Sequence, residues 1–381
     1  MFRLAVLAAA SAVAAPSSGA ASAVASSASG AASALVASAS GPAGLEKLGV
    51  YDFDVQESSP VVFNGALLMV ESMLPMDPEW ARLDPALANC SGYFRVRDQR
   101  SGVVLVNISQ TCGLAFAAAT VATNDGGLDT LYIFGTEWNR VGSPWKGPCS
   151  QGSTCVIDAF ATADPALQEW SAARPLLAPG GVVYNVDVAR VGEAAGGAMA
   201  GAQWVMQTEG SAPTFFVCNG SDPTRPACWA PLPPATYGLD AFPGRQIGPC
   251  PSLRYDGRAG WWYVMTGGGS ISVLRSPTLQ RGSWTLGGTL LAPDSGDCAI
   301  APAPFGGWYS PSAEAAAHIA ACQAGDKGFG DVSDVDVTEV VVANGSVATL
   351  FQYGPGDQRT FGFSALAIAY QPLFAFLAAM F

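Results

Sequence analysis

Positive charge is scarce in this chain. Of 381 residues only 18 are Lys or Arg, three of them lysine (Lys47, Lys146 and Lys327), against 30 Asp and Glu. With a formal net charge of −12 there is no basic stripe to grip a phosphate backbone, which excludes nucleic-acid binding as the main activity. Histidine is scarcer still. The single one, His318, falls in an alanine-rich stretch, 311–323, that reads as a helix, where a packing role is expected. A Ser/His/Asp hydrolase therefore lacks its base. One histidine and dispersed cysteines also argue against a zinc site. No cofactor or metal is expected, with a structural calcium the one ion left open.

Glycine and proline are plentiful, 44 and 27 residues, and half of the chain is hydrophobic. That mixture suits an all-β fold with many turns and a well-buried core. Trp170, Trp229 and Trp284 each close a short turn after a strand: Asp164-Pro165-Ala166-Leu167 before the first, Ser221-Asp222-Pro223 before the second and Ser276-Pro277-Thr278-Leu279 before the third. Two of these turns lead into nearly the same words, Leu176-Leu177-Ala178-Pro179 and Leu290-Leu291-Ala292-Pro293. A period of roughly 55–60 residues with several strands per unit is the mark of a β-propeller.

Five strand pairs follow. Inner-strand candidates are 59–63, 114–122, 185–191, 251–255 and 334–342; their returning partners are 65–72, 130–138, 203–210, 261–267 and 347–353. Spread over 50–381 this is roughly 66 residues per blade, hence a five-bladed propeller, with a β-sandwich of the same strands as the alternative. Segment 361–369 reads as the closing strand and 372–381 as a short C-terminal helix. This uncharged tail could instead be a membrane anchor or a lipid-anchor signal, but no membrane association is expected.

The first 15 residues read as a signal peptide, with Arg3, an apolar run from Leu4 to Ala15 and the small residues Ala12-Val13-Ala14. Residues 16–46, almost pure Ala, Ser, Gly and Val, are expected to be a disordered linker, and 47–381 the propeller domain. Secretion is the expectation; a plastid transit peptide is the rival reading. The nine cysteines pair by proximity as Cys90–Cys112, Cys149–Cys155, Cys218–Cys228 and Cys298–Cys322, leaving Cys250 over. Asn-x-Ser sequons at Asn89, Asn107, Asn219 and Asn344 suit a glycosylated export. A monomer is expected.

In a propeller the start of each inner strand and the end of its antiparallel neighbour meet at one mouth of the axial funnel. The starts supply Glu57, Asn185, Asp187, Asp334 and Asp336; the ends supply Glu71, Glu137, Trp138, Glu209 and Tyr353. Carboxylates among aromatic rings suit a carbohydrate, which offers hydroxyls to one and flat C–H faces to the other. Asp334 and Asp336, two apart on one strand, should share a side. Flanked by Ser333 and backed by Glu339, they are the leading site candidates, since like charges held close raise one pKa and make an acid and a base from identical residues. A calcium-binding or structural pair is the plainer reading.

These residues resemble the five-bladed propeller glycosidases of the clan that holds glycoside hydrolase families 43 and 32, and more closely a largely uncharacterised glycosidase-like branch of it. The likeness rests on Ser59-Pro60-Val61-Val62-Phe63-Asn64-Gly65, Tyr184-Asn185, Cys250-Pro251-Ser252-Leu253-Arg254-Tyr255 with Trp262-Tyr263, Ser333-Asp334-Val335-Asp336-Val337, and Phe351-Gln352-Tyr353-Gly354-Pro355-Gly356-Asp357-Gln358 before the closing 363–370. It implies hydrolysis of glycosidic bonds by a carboxylate base or nucleophile, a second carboxylate and a general acid. Asp334, Asp336, Glu57, Asp187 and Glu209 are the catalytic candidates. Asn185, Arg254, Trp138, Glu137, Glu71 and Ser333 are the substrate-binding ones. The chain departs from the family 43 pattern at two slots, carrying Ser59 where that family has its base and Pro249 where it has its acidic glutamate. A lectin-like propeller that binds glycans without cleaving them is the alternative, and an interaction scaffold a third.

Overall fold

The computed structural model describes residues 44–52, 55–73, 90, 92–124, 127–137, 156–177, 185–191, 201–209, 214–232, 250–306, 313–325, 329–356 and 362–381. Twenty strands form five four-stranded antiparallel sheets. The first strand, β1 (Leu45–Asp52), belongs to the last sheet. Blade one is β2 (Val55–Phe63), β3 (Ala66–Met73), β4 (Tyr93–Asp98) and β5 (Val104–Ile108); blade two is β6 (Leu114–Thr123), β7 (Asp129–Glu137), β8 (Ile157–Thr162) and β9 (Arg174–Leu177). Blade three is β10 (Val186–Arg190), β11 (Trp204–Thr208), β12 (Thr214–Cys218) and β13 (Trp229–Pro231). Blade four is β14 (Ser252–Asp256), β15 (Trp261–Thr266), β16 (Ile271–Ser276) and β17 (Thr285–Leu291). Helix α1 (Ala313–Gly325) precedes blade five, which is β18 (Val332–Val341), β19 (Val347–Pro355) and β20 (Ser364–Ala369) with β1 outermost; helix α2 (Leu373–Ala378) follows.

The inner strands β2, β6, β10, β14 and β18 neighbour one another round the axis, and β18 returns to β2. This is the five-bladed propeller that the strand count implied. Five apolar layers, one between each pair of adjacent blades, make up most of its core, and a smaller cluster of Val55, Met73, Cys90 and Tyr93 adds to blade one. Side chains near the axis must be small because the wedge between blades narrows there. Alanines 115, 117, 118 and 119 of β6 meet that need, while β3, β15 and β19 carry the bulk with residues such as Val70, Tyr263 and Phe351. Ser59 ties two inner strands together: its Oγ donates to the Ala117 carbonyl and accepts from Ala119 N, both at 3.2 Å.

The tryptophan-closed turns lie between the third and fourth strands of blades two, three and four. In blade two, Asp164 accepts backbone N–H bonds from Ala166, Gln168 and Glu169, and Leu167 is buried at φ 58°. Ser276 caps the blade-four turn through Thr278 and Leu279, and Leu279 is buried at φ 61°. The indoles of Trp170 and Trp229 donate to the carbonyls of Leu167 and Pro223, each at 2.8 Å.

Segment 361–369 was expected to close the ring. Instead β20 is third in its sheet, and β1 lies beyond it with Leu45 opposite Ala369 and Asp52 opposite Ser364. The ring is thus sealed by hydrogen bonds between the two ends of the domain. Ion pairs reinforce the seam. Asp52 on β1 receives Arg95 and Arg97 from β4, and the same two arginines hold Glu71 of β3. Lys47 of β1 donates to Asp297 Oδ1 at 2.6 Å, which also accepts from the Tyr353 hydroxyl at 2.8 Å. Gly49 has φ 102°, and a Cβ there would lie 2.3 Å from the Ala299 carbonyl oxygen, so only glycine fits.

The uncharged tail is buried in its strand and along one face of its helix, while Tyr370 and Phe381 are exposed. β20 is buried throughout, and Leu373, Phe376 and Leu377 of α2 sit in the layer between blades four and five. Among the described residues no helix is long and apolar enough to cross a membrane. Disulfides join Cys90–Cys112, Cys218–Cys228 and Cys298–Cys322, as expected from proximity, and Cys250 is a free thiol. The pairing expected for Cys149 and Cys155 lies outside the described residues. Asn107, Asn219 and Asn344 are exposed; Asn89 is outside the described residues.

Candidate functional site

Where the inner strands begin, the axis opens into a chamber of about 30 Å³ lined by Glu57, Ser58 and Ser59 of blade one, Ala117 and Ala118 of blade two, Asn185, Val186 and Asp187 of blade three, Cys250 and Pro251 of blade four, and Asp334, Val335 and Asp336 of blade five. That space suits a water or two, or one ion, rather than a sugar ring. The polar groups fall into two tiers.

The upper tier is Glu57, Asn185, Glu209, Cys250 and Asp334. Asn185 and Glu209 face each other across the β10–β11 hairpin, where the Glu209 N–H bonds the Asn185 carbonyl at 2.8 Å. The Asn185 side-chain amide donates to Glu209 Oε2 at 2.6 Å and lies 3.0 Å from Cys250 Sγ, and the Cys250 backbone N–H adds a second donor to Glu209 Oε2 at 2.9 Å. Cys250 and Asp334 both have positive φ, 48° and 53°, unusual for residues with a Cβ. Ser333 Oγ donates to Asp334 Oδ2 at 2.7 Å.

Desolvation dominates the protonation of this tier. Burial, then the neighbouring charges of Asp334 and Glu209, push Glu57 well above the usual carboxylate range. Burial likewise raises Glu209 to about 7, against the opposing N–H bond from Cys250. Asp334 is raised by burial despite hydrogen bonds from Cys250, Ser333 and Glu57, and the Cys250 thiol is pushed up by burial and then by Asp334.

The lower tier is a clamp. Arg254 of β14 donates through Nη1 to Asp187 Oδ2 at 2.8 Å and through Nη2 to Asp336 Oδ1 and the Val337 carbonyl, the last at 3.0 Å. Asp187 also accepts from Leu253 N and Val188 N at 2.5 and 2.7 Å, and Asp336 from Ser252 Oγ at 3.1 Å. Burial raises Asp187 to about 6 even with Arg254 opposing it. Against the cost of its own burial, Asp336 and Asp187 hold Arg254 above its ordinary value. Arg254 also lines a cavity of about 540 Å³ at the other mouth, with Arg190, Tyr255, Glu339 and Phe374, so the clamp stands between the two openings.

The structure therefore gathers Glu57, Asn185, Asp187, Glu209, Arg254, Ser333, Asp334 and Asp336 at one end of the axis. Asp334 and Asp336 do not act as a same-side pair. A bulge between Ser333 and Asp336 breaks the alternation, so Asp334 partners Glu57 and Cys250 while Asp336 joins the clamp. Glu71 lies in the seam cluster with Arg95 and Arg97, away from the chamber. Glu137 ends β7 half-buried and does not line the chamber; Trp138 lies outside the described residues. His318, expected to pack, is exposed on α1. Cys250 is the member that sequence reasoning passed over, although an odd cysteine left by pairing was its signal.

No family model matches the chain, and no curated protein matches it. Solved structures do. A glycosyl hydrolase from Bacteroides ovatus is 11% identical with a TM-score of 0.45, covering 85% of each chain. A GH43_1 enzyme from Xanthomonas citri is 12% identical with a TM-score of 0.41, covering 84% of this chain and 88% of that one. An exo-1,5-α-L-arabinanase from a bovine ruminal metagenomic library is 7% identical with a TM-score of 0.43, covering 84% and 94%. At these identities the likeness is one of fold.

Proposed function

We propose that this propeller is a secreted glycoside hydrolase that acts on a poly- or oligosaccharide through the carboxyl groups of its axial chamber, as a monomer. The observation that carries the reading is convergence: Glu57 and Asp334, from blades one and five, line one desolvated chamber, and buried Glu209 of blade three is tied to it through the Asn185 amide and the Cys250 N–H. Glu57 and Asp334 lie close enough to act as one proton-sharing unit, with Glu209 as the second. In hydrolysis one unit gives its proton to the leaving glycosidic oxygen as the C–O bond breaks. The other takes a proton from the water whose oxygen bonds to the anomeric carbon. Crowded carboxyls supply both states from the same residue types. The disulfides suit an oxidising compartment.

Two features favour the second reading, a lectin-like propeller: the small chamber, and a thiol rather than an acid at the start of blade four. A panel of glycans with reducing-end detection separates the two. Hydrolysis predicts wild-type turnover that falls on the order of 10²–10⁴-fold in Glu57→Gln, Glu209→Gln and Asp334→Asn while the melting temperature holds. Turnover surviving in all three variants would overturn it. Wild-type binding with no turnover anywhere on the panel would establish the lectin reading instead.

A further inference from the structure

One ligand atom each from Glu57, Cys250 and Asp334 lies within 4.8 Å of the others. A tetrahedral zinc, with bonds of roughly 2.3 Å to sulfur and 2.0–2.2 Å to oxygen, holds its ligand atoms about 3.3–3.7 Å apart. The three groups therefore need to draw in by no more than roughly 1–1.5 Å to close on a single ion. Their positions are not an accident of regular strand geometry. Cys250 stands just before β14 and Asp334 in the bulge of β18, and the positive φ of each is what turns the two side chains toward Glu57.

A separate observation points to an occupant. Asn185 lines the same chamber and is only 6% exposed, yet its carbonyl oxygen Oδ1 is buried without a hydrogen-bond partner among the described residues. A buried acceptor left unsatisfied is costly and calls for a water or an ion. Its amide nitrogen is already committed to Glu209 and Cys250, which leaves the oxygen as the spare donor to a cation. Charge argues the same way. The upper tier holds three carboxyls, and the cation of the lower tier, Arg254, is engaged by Asp187 and Asp336.

We propose that the chamber binds one borderline-soft divalent cation, of which zinc is the type, through Glu57, Cys250 and Asp334, with Asn185 Oδ1 as fourth donor. The thiol decides the class. Calcium and magnesium seek oxygen alone, whereas sulfur beside carboxylates suits zinc and its neighbours. Cysteine spacing gave no hint of this because the ligands come from blades one, three, four and five and meet only when the ring is closed. The ion and the shared proton would occupy the same two carboxyls, Glu57 and Asp334, so they are alternative states of one site; ion binding is measured without any glycan, which keeps its failure distinguishable from failure of the hydrolase reading.

The test uses the chain without a histidine tag, stripped with chelator and dialysed against micromolar zinc or cobalt. The expected result is one bound equivalent, with cobalt giving a thiolate-to-metal charge-transfer absorption. Cys250→Ser should lose that absorption and bind zinc on the order of tenfold or more weakly, at an unchanged melting temperature of the stripped protein. A Cys149→Ser, Cys155→Ser double variant should keep the absorption, which places the thiolate at Cys250 even if the first variant folds poorly. No stoichiometric zinc, no charge-transfer band in the wild type, or equal affinity in Cys250→Ser would each overturn the assignment. Calcium bound while zinc is not would do so as well.

Discussion

Arg254 shows how one side chain can hold the centre of a ring. Its planar fork reaches Asp187 of blade three and Asp336 of blade five at once, a geometry that lysine cannot copy. Arg254→Met would leave two buried carboxylates facing each other without a counter-charge, so a loss of about 3–5 kcal/mol is expected in urea unfolding. Arg254→Lys should recover only part of it. At this scale the sequence was informative about which residues gather and poor about how they divide. The alternation rule placed Asp334 with Asp336, and the bulge at Ser333–Asp336 undid it. No residue type announces such a bulge when the αL position is taken by aspartate rather than glycine. Glu71 was misplaced for a related reason: Arg95 and Arg97 on the next strand claim its carboxylate.

Turns and strands were more legible. The recurrent tryptophan turns are real elements because their chemistry is local: a capping Asp or Ser and a proline in all three, and in those of blades two and four a buried leucine at positive φ. In the first of them the three N–H bonds to Asp164 hold its carboxyl below the ordinary value of 3.8. A folded-state pKa below the unfolded one stabilises above the unfolded pKa and is lost as pH falls through the folded one. The urea midpoint of the wild type should therefore exceed that of Asp164→Ala by a constant margin above pH 3.8, and the two should converge as the pH drops below it. A margin that is unchanged down to the acid limb would show that the N–H bonds do not depend on the charge. Of the strands outside the five pairs and segment 361–369, β1 is the one that seals the ring. Its sequence, LEKLGVYD, follows a low-complexity stretch and carries a mid-strand glycine, so neither composition nor alternation marks it as part of a sheet.

On the scale of the whole molecule, blade number followed from repeat length, because each blade is a sequence-local meander. Closure did not, because it pairs the two ends of the domain. A chain lacking residues up to Asp52 should lose the outer strand of blade five and strip the Glu71–Arg95–Arg97 cluster of its second carboxylate. The expected outcome is loss of the cooperative melt and a shift to aggregates in size-exclusion chromatography. A monomer that melts as the intact protein does would show that β20 tolerates an open edge.

The seam has a consequence in time. β1 leaves the ribosome before any blade exists, and β20, the edge it must meet, follows every other described strand. The first four blades can collapse one after another during translation, while the earliest strand waits for a partner that has yet to be made. Only then can carboxyls from blades one and five come face to face. Whatever chemistry the axis performs is therefore withheld until blade five has been made.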